Sequence, residues 1–371
     1  MSDHGTFDRH MMAIALTMAR RGLGRTAPNP SVGAVIANEA TGEVIARAVT
    51  APGGRPHAET TAIAAAGERA RGATLYVTLE PCSHHGKTSP CADAVIAAGF
   101  RRVVVAISDP DLRVAGRGLD KLRAAGIAVV RGIGASEARW LTRGHIVRVT
   151  ERRPFITLKL ALNASGHVAR GIEGKPLWVT GEAARAHGHL LRAQSDAILV
   201  GSGTVRDDNP ELTCRLPGLL ARSPIRVVMS RTLDVPLESR LVASARDVPV
   251  WLVCGPLPNA TKRAAFEAKG AQVISVNEVA NHLWLPAVME ALIERGVTRL
   301  LVEGGPAIWR AFAAAGLADE VALFMAGSSA EAAATALAAH LGDTPFALID
   351  QRALGPDTHY TFRKAAFGSA S

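Results

Sequence analysis

Between Pro56 and Cys91 the chain narrows its own options more than anywhere else. The stretch reads Pro56-His57-Ala58-Glu59, an alanine-rich helical run, the strand Thr74-Leu75-Tyr76-Val77-Thr78-Leu79-Glu80, the corner Pro81-Cys82 and, after eight intervening residues, Cys91. Proline suits the first turn of a helix, which puts His57 and Glu59 at its N-terminal mouth. Residues two apart diverge along a regular helix and can face one site only from its end. Cys82 follows a strand, and Cys91 opens a second helical run that reaches Gly99. An imidazole and two thiols therefore arrive from three element ends.

Such a set fills three corners of a tetrahedron around zinc and leaves the fourth for water, which is the catalytic rather than the structural arrangement. His-x-Glu followed by Pro-Cys and a second Cys is the pattern of zinc-dependent nucleobase deaminases, in which the glutamate moves protons and does not bind the metal. His57, Cys82 and Cys91 are thus the candidate ligands, and Glu59 the candidate acid and base. His84 and His85 could also reach a metal, but further imidazoles would close the position that catalysis needs open.

At 371 residues there is room for two domains. In the first half, a helix over Phe7 to Arg21 precedes the turn Pro28-Asn29-Pro30-Ser31, the strand Val32 to Ile36 and a hairpin at Gly42 into Val44-Ile45-Ala46. Helices and strands then alternate through Val103 to Ile107 and Ile127 to Val130, which describes a three-layer α/β domain over 1–150. Glu151-Arg152-Arg153 reads as a linker ahead of Pro154, and a second α/β domain over 154–371 restarts at the strand Phe155 to Ala161. Strand-like runs at 197–200, 225–229, 250–253, 273–276 and 300–302, separated by helical patterns, predict a mostly parallel sheet. Two turns there could hold phosphate, because glycines between a strand and a helix let backbone N–H groups approach an anion. One is Glu303-Gly304-Gly305-Pro306. The other, Gly201-Ser202-Gly203-Thr204-Val205-Arg206, has arginine where a dinucleotide fingerprint needs glycine.

The net charge of +9 favours anionic partners such as phosphorylated metabolites, nucleotide cofactors or nucleic acid. Aromatic residues make up 4%, so a base-stacking platform is not evident. Four cysteines do not build a secreted disulfide framework, and Cys214 and Cys254 read as small buried hydrophobes. The apolar run Met11 to Ala19 is too short for a membrane span, and Asp3 and Asp8 before it argue against a secretion signal. A cytoplasmic protein is expected, and the charge does not choose among these partners.

Taken together, the motifs resemble the bifunctional riboflavin-biosynthesis deaminase/reductase family over nearly the whole chain. In the first half the resemblance lies in Pro28-Asn29-Pro30-Ser31-Val32-Gly33, Pro56-His57-Ala58-Glu59 and the run Leu75 to Cys91, whose long insert between the cysteines differs from the Pro-Cys-x-x-Cys of cytidine and tRNA deaminases. It implies a cytidine-deaminase-like fold, zinc on His57, Cys82 and Cys91, and hydrolytic deamination of 2,5-diamino-6-ribosylamino-4(3H)-pyrimidinone 5′-phosphate by Glu59. Asn29, His84, Lys87 and Asp109 match positions that bind substrate in the family. The resemblance also implies a small-molecule substrate, with neither nucleic acid nor membrane as partner.

In the second half the matching strings are Trp178-Val179-Thr180, Leu191-Arg192-Ala193, Asp196 to Gly201, Asp208-Asn209-Pro210-Glu211-Leu212-Thr213-Cys214-Arg215 and Glu303-Gly304-Gly305-Pro306. They imply a dihydrofolate-reductase-like fold that reduces the ribosyl group to ribityl with NADPH. Arg192, Leu212, Arg215 and Glu303 carry over as substrate contacts. Ala161, Trp178, Thr204, Asp208, Ser230, Gly304 and Gly305 carry over to the cofactor, and a homo-oligomer is expected. Thr50, the turn Asn163-Ala164-Ser165-Gly166, Pro176 and the segment 324–329 depart from the family's usual residues. The rival enzyme class is a nucleic-acid base deaminase with an accessory binding domain; a third reading keeps the deaminase and an inactive reductase.

Overall fold

The computed structural model describes residues 4–84, 89–111, 115–168, 179–342 and 346–364, in two units that divide between Arg153 and Pro154. Pro176, Trp178, His85 and Lys87 lie outside the described residues.

In the first unit, α1 (His4–Gly22) precedes β1 (Gly33–Ala37), β2 (Val44–Val49), α2 (Ala58–Ala66), β3 (Thr74–Val77), α3 (Cys91–Ala97), β4 (Arg102–Val105), α4 (Arg117–Ala124), β5 (Ala128–Arg131) and α5 (Ala135–Glu151). The sheet order is β2-β1-β3-β4-β5, with β1 antiparallel to both neighbours and β3, β4 and β5 parallel. Strand β1 is buried along its whole length, as a strand covered on both faces must be. Helices α1 and α5 touch each other, while α2, α3 and α4 form a second run of neighbours, which gives three layers. Helix α1 packs so closely on β1 that a Cβ on Gly33 would lie 1.9 Å from the Ala15 carbonyl oxygen. The tripeptide read as a linker is only partly one, since α5 runs through Glu151 and turns off at Arg152, whose φ is 55°.

The second unit contains β6 (Phe155–Leu162), α6 (Glu182–Ala193), β7 (Ala197–Gly201), α7 (Ser202–Asp208), β8 (Ile225–Met229), α8 (Arg240–Ala243), β9 (Val250–Cys254), α9 (Ala260–Ala268), β10 (Gln272–Ser275), the small hairpin β11 (Glu278–Val279) and β12 (His282–Leu283), α10 (Leu285–Glu294), β13 (Arg299–Val302), α11 (Pro306–Ala314), β14 (Glu320–Ala326), α12 (Ala330–Leu341), β15 (Phe346–Leu354) and β16 (Asp357–Lys364). Nine strands form one sheet in the order β10-β9-β8-β7-β13-β6-β14-β16-β15. Its first seven members are parallel, and β16 and β15 extend it antiparallel.

Alternation along each parallel strand feeds two apolar layers. Leu199, Val227, Val253, Leu300 and Val302 face one, with Trp309 and Phe312, whereas Ile198, Val200, Val228, Leu252 and Leu301 face the other. Because both faces are covered, these strands read in sequence as continuous hydrophobic runs. Among the described residues, no helix is long and apolar enough to cross a membrane.

Candidate active sites

In the first unit, His57 is the residue just before α2, with extended backbone (φ −72°, ψ 158°), and Cys91 is the first residue of α3. Pro56 therefore precedes the helix instead of occupying its first turn, and the helix start falls on Ala58. This places His57 where its ring can turn away from the helix axis. Its Nδ1 lies 3.2 Å from the Cys91 Sγ and 3.8 Å from the Cys82 Sγ. All three donor atoms fall within 4.8 Å of one another, and they form the one such metal-binding group among the described residues. His84 is exposed and outside that group.

The donor chemistry fits zinc. The hydrogen bond from the Cys91 thiol, helped by His57 and opposed by burial, brings the Cys82 thiol down to about 4, while the same bond pushes Cys91 up. This arrangement favours the thiolate at Cys82, the form that ligates. The Cys82 Sγ also accepts the Cys91 backbone N–H at 3.3 Å, which orients the corner. Glu59, in the first turn of α2, is 3% exposed, and its Oε2 has no hydrogen-bond partner. Burial raises its carboxyl to about 7, close to where a proton shuttle operates best.

Asn29 reaches the ring from the other side. Its Nδ2 donates to the Gly54 carbonyl at 2.8 Å and lies 3.4 Å from His57 Nε2. Asp109 is nearly buried, and its Oδ1 accepts the Asp111 N–H at 2.9 Å and lies 3.1 Å from His145 Nε2. His145 comes from α5, whose approach to Asp109 nothing in the local sequence announces. Thr50 spends its hydroxyl on the backbone of Val32, accepting that residue's N–H at 3.0 Å.

The second unit opens a cavity of about 790 Å³ at the carboxyl ends of β6, β7 and β13. Open parallel sheets bind ligands at such ends. Ala161, Arg192, Thr204, Asp208, Leu212, Arg215, Glu303, Gly304 and Gly305 all line it. Arg192 grips Glu303 with two bonds of 2.8 Å, Nε to Oε1 and Nη2 to Oε2, and a third from Nη1 holds the Thr213 carbonyl at 3.0 Å. Burial raises the Glu303 carboxyl, but the Arg192 and Lys159 charges overcome it and hold the group at about 2.

Leu212 is 3% exposed with φ 56°, a left-handed backbone unusual for a leucine, in the loop between Asp208 and Arg215. Gly304 has no room for a side chain, since a Cβ there would sit 2.7 Å from that of Ile308; at Gly305 a Cβ would meet nothing within 4 Å. The turn thus has an open backbone cradle facing the helix mouth of α11, the surroundings that a dinucleotide's phosphates need.

Ser230 is not among the cavity-lining residues; its Oγ accepts the Asp234 N–H at 2.7 Å. Lys159, Arg185, His189, Arg240 and Trp309 line the cavity without having been singled out in the sequence. For Lys159 the signal was available, since it lies two residues before Ala161 on the same strand and so shares its face. Asn163 caps its own turn, its Oδ1 accepting the N–H groups of Ser165 and His167.

Comparison with known proteins bears on both units. Residues 6–107 match the family model described as the cytidine and deoxycytidylate deaminase zinc-binding region, and residues 154–328 match the RibD C-terminal domain. The chain is 39% identical to the riboflavin biosynthesis protein RibD of Escherichia coli over 368 residues, covering 94% of this chain and 97% of that one. It is 38% identical to the protein of the same description from Aquifex aeolicus over 319 residues, 86% of each. A solved RibD structure from Acinetobacter baumannii superposes with a TM-score of 0.81 at 31% identity, covering 96% of this chain and 99% of that one. The Thermotoga maritima diaminohydroxyphosphoribosylaminopyrimidine deaminase/5-amino-6-(5-phosphoribosylamino)uracil reductase gives the same TM-score and identity over 98% and 100%.

Proposed function

Because this chain belongs to the RibD family of riboflavin biosynthesis, whose two halves are a zinc-dependent deaminase and an NADPH-dependent reductase, we propose the residues that carry each reaction. His57, Cys82 and Cys91 hold zinc, which when bound supplies activation of water at neutral pH. Glu59 takes the proton from the attacking water and returns protons to the pyrimidine ring nitrogen and the departing ammonia. The single observation behind this is the juxtaposition of a three-donor group with a buried carboxyl that has an unpartnered oxygen. Asn29, Asp109, His84 and Lys87 orient the 2,5-diamino-6-ribosylamino-4(3H)-pyrimidinone 5′-phosphate.

In the second unit, Arg192, Leu212, Arg215 and Glu303 hold the deaminated product. Ala161, Thr204, Asp208 and the Gly304-Gly305 turn hold NADPH, with Trp178 and Ser230 as the remaining candidates. The hydride belongs to the cofactor; the protein's task is to keep the two reacting carbons close and water out. The cavity's mixture of cationic side chains and a backbone cradle supports two anionic ligands side by side.

Incubation with the diaminopyrimidine phosphate tests both halves. A product one mass unit heavier is expected without NADPH, and the ribityl product with it. Release of ammonia from a base in RNA, with binding that falls steeply as salt rises, would favour the nucleic-acid deaminase instead. A chain that deaminates but never oxidises NADPH would leave the second half inactive.

A second copy of this chain is the proposed partner. Support comes from β15, the edge of a nine-stranded sheet, whose Leu348 and Ile349 are 39% and 44% exposed. Sedimentation at two protein concentrations tests it, and a monomer at both would refute it. The four free cysteines support a reducing, cytoplasmic setting.

A further inference from the structure

Glu80 sits two residues before the Cys82 ligand, yet its side chain turns away from the metal group. It is 3% exposed, and its carboxylate faces backbone N–H groups of the segment that follows β4. Its Oε1 accepts the Gly118 N–H at 3.0 Å, and its Oε2 accepts the N–H groups of Gly116 at 3.1 Å and Asp109 at 3.3 Å. Its own N–H donates to the Ile107 carbonyl at 3.0 Å. Backbone amides that point into the interior must find acceptors, and here one carboxylate serves three of them. The fit is tight, because a Cβ on Gly118 would lie 2.3 Å from the Pro81 carbonyl oxygen and 3.2 Å from the Glu80 Oε1.

We infer that Glu80 is a positioning residue of the deaminase: it ties the Pro81-Cys82 corner to the start of α4 and to Asp109, and so sets the distance between the metal centre and the substrate's binding groups. The inference rests on the deaminase reading of the zinc centre and on Asp109 as a substrate contact. Glu80 neither donates to the metal group nor faces the reacting atoms. It acts through Asp109, whose backbone it holds while Asp111 and His145 hold the carboxylate. Both oxygens are needed as acceptors. A glutamine of the same size would present an amide N–H₂ to at least one backbone N–H, a donor against a donor in a buried site.

The experiment compares the zinc-loaded full-length chain with Glu80→Gln and Gly118→Ala. The second variant sets a methyl against the Pro81 carbonyl oxygen and so pushes the same segment off the corner while leaving Glu80 itself intact. Measured for each are zinc per chain, deaminase kcat and KM on the diaminopyrimidine phosphate, and reduction of the deaminated product. Expected in both variants are full zinc content, unchanged reduction, and a deaminase KM raised about tenfold or more with kcat much less affected, the factor that one unmet buried donor can produce.

A wild-type chain that does not deaminate would fail the underlying reading and not this inference. A wild-type chain that deaminates, with Glu80→Gln unchanged in KM, would overturn it. So would zinc lost in proportion to activity, since Glu80 would then merely hold the ligand corner. Should Glu80→Gln not fold, Gly118→Ala decides alone by the same split between KM and kcat.

Discussion

Replacing Glu303 by glutamine should cost the second unit both stability and reduction, and the two losses can be separated. Glu303 is joined to Arg192 by two bonds of 2.8 Å, with side-chain exposures of 7% and 14%, and Lys159 Nζ lies 3.7 Å from the same carboxylate. The carboxyl is held at about 2 against an ordinary 4.5. That difference corresponds to roughly 3 kcal/mol. Its folded value lies below its unfolded one, so this contribution is present above about pH 4.5 and is lost as pH falls towards 2. Removing one partner also strands the Arg192 charge in the interior, for which about 3–5 kcal/mol is typical. Glu303→Gln should therefore destabilise the second unit by about 3 kcal/mol or more at pH 7. Urea unfolding with hydrogen exchange read on peptides of β6 and β13 would measure it.

Neutralising both groups, as Arg192→Met with Glu303→Leu, should recover most of the lost stability, because a buried ion pair gains little over apolar residues of similar size. Reduction should stay lost, since both side chains are proposed to hold the deaminated product. Unaltered stability in Glu303→Gln, or reduction restored in the double variant, would refute the reasoning.

Three further outcomes follow from the geometry. Glu59→Gln should retain zinc and reduction but lower deamination by about 10²–10⁴-fold, measured as ammonia release with metal content in parallel. Chelation should stop ammonia release while NADPH oxidation on the deaminated product continues, and readdition of zinc should restore it. Gly305→Ala should raise the KM for NADPH about tenfold without lowering Tm, because the added methyl meets open space in the protein but fills the cradle; Gly304→Ala, which strikes Ile308, should lower Tm instead.

Much of the first unit could be read from local pattern. His57, Glu59, Cys82 and Cys91 are identified by type and spacing because a metal centre needs particular donor atoms, and the ends of α2, β3 and α3 deliver them. The strands β6 to β10 and β13 were legible for a related reason: a strand covered on both faces must be apolar throughout. The β15–β16 hairpin was not, since β15 is exposed along nearly all its length and carries no such run; β14, buried along nearly all of its length, carries the apolar run Val321 to Met325 and could have been read by the same rule. Pro56 misplaced the helix start by two residues, as boundaries depend on cap geometry more than on composition.

The sequence by itself determined which candidate groups are present: the His57, Cys82 and Cys91 donor set, the Glu59 carboxyl proposed as proton carrier, the two α/β halves and the glycine turn. Only the tertiary structure decided what that chemistry is held by. Glu80 finds its three amides 29 to 38 residues away, Asp109 meets His145 36 residues on, and Arg192 clasps Glu303 across 111. Hydrogen bonds and ion pairs depend on distances of a few ångströms between groups that chain order leaves unrelated, and only packing of the sheets and helices brings those groups together.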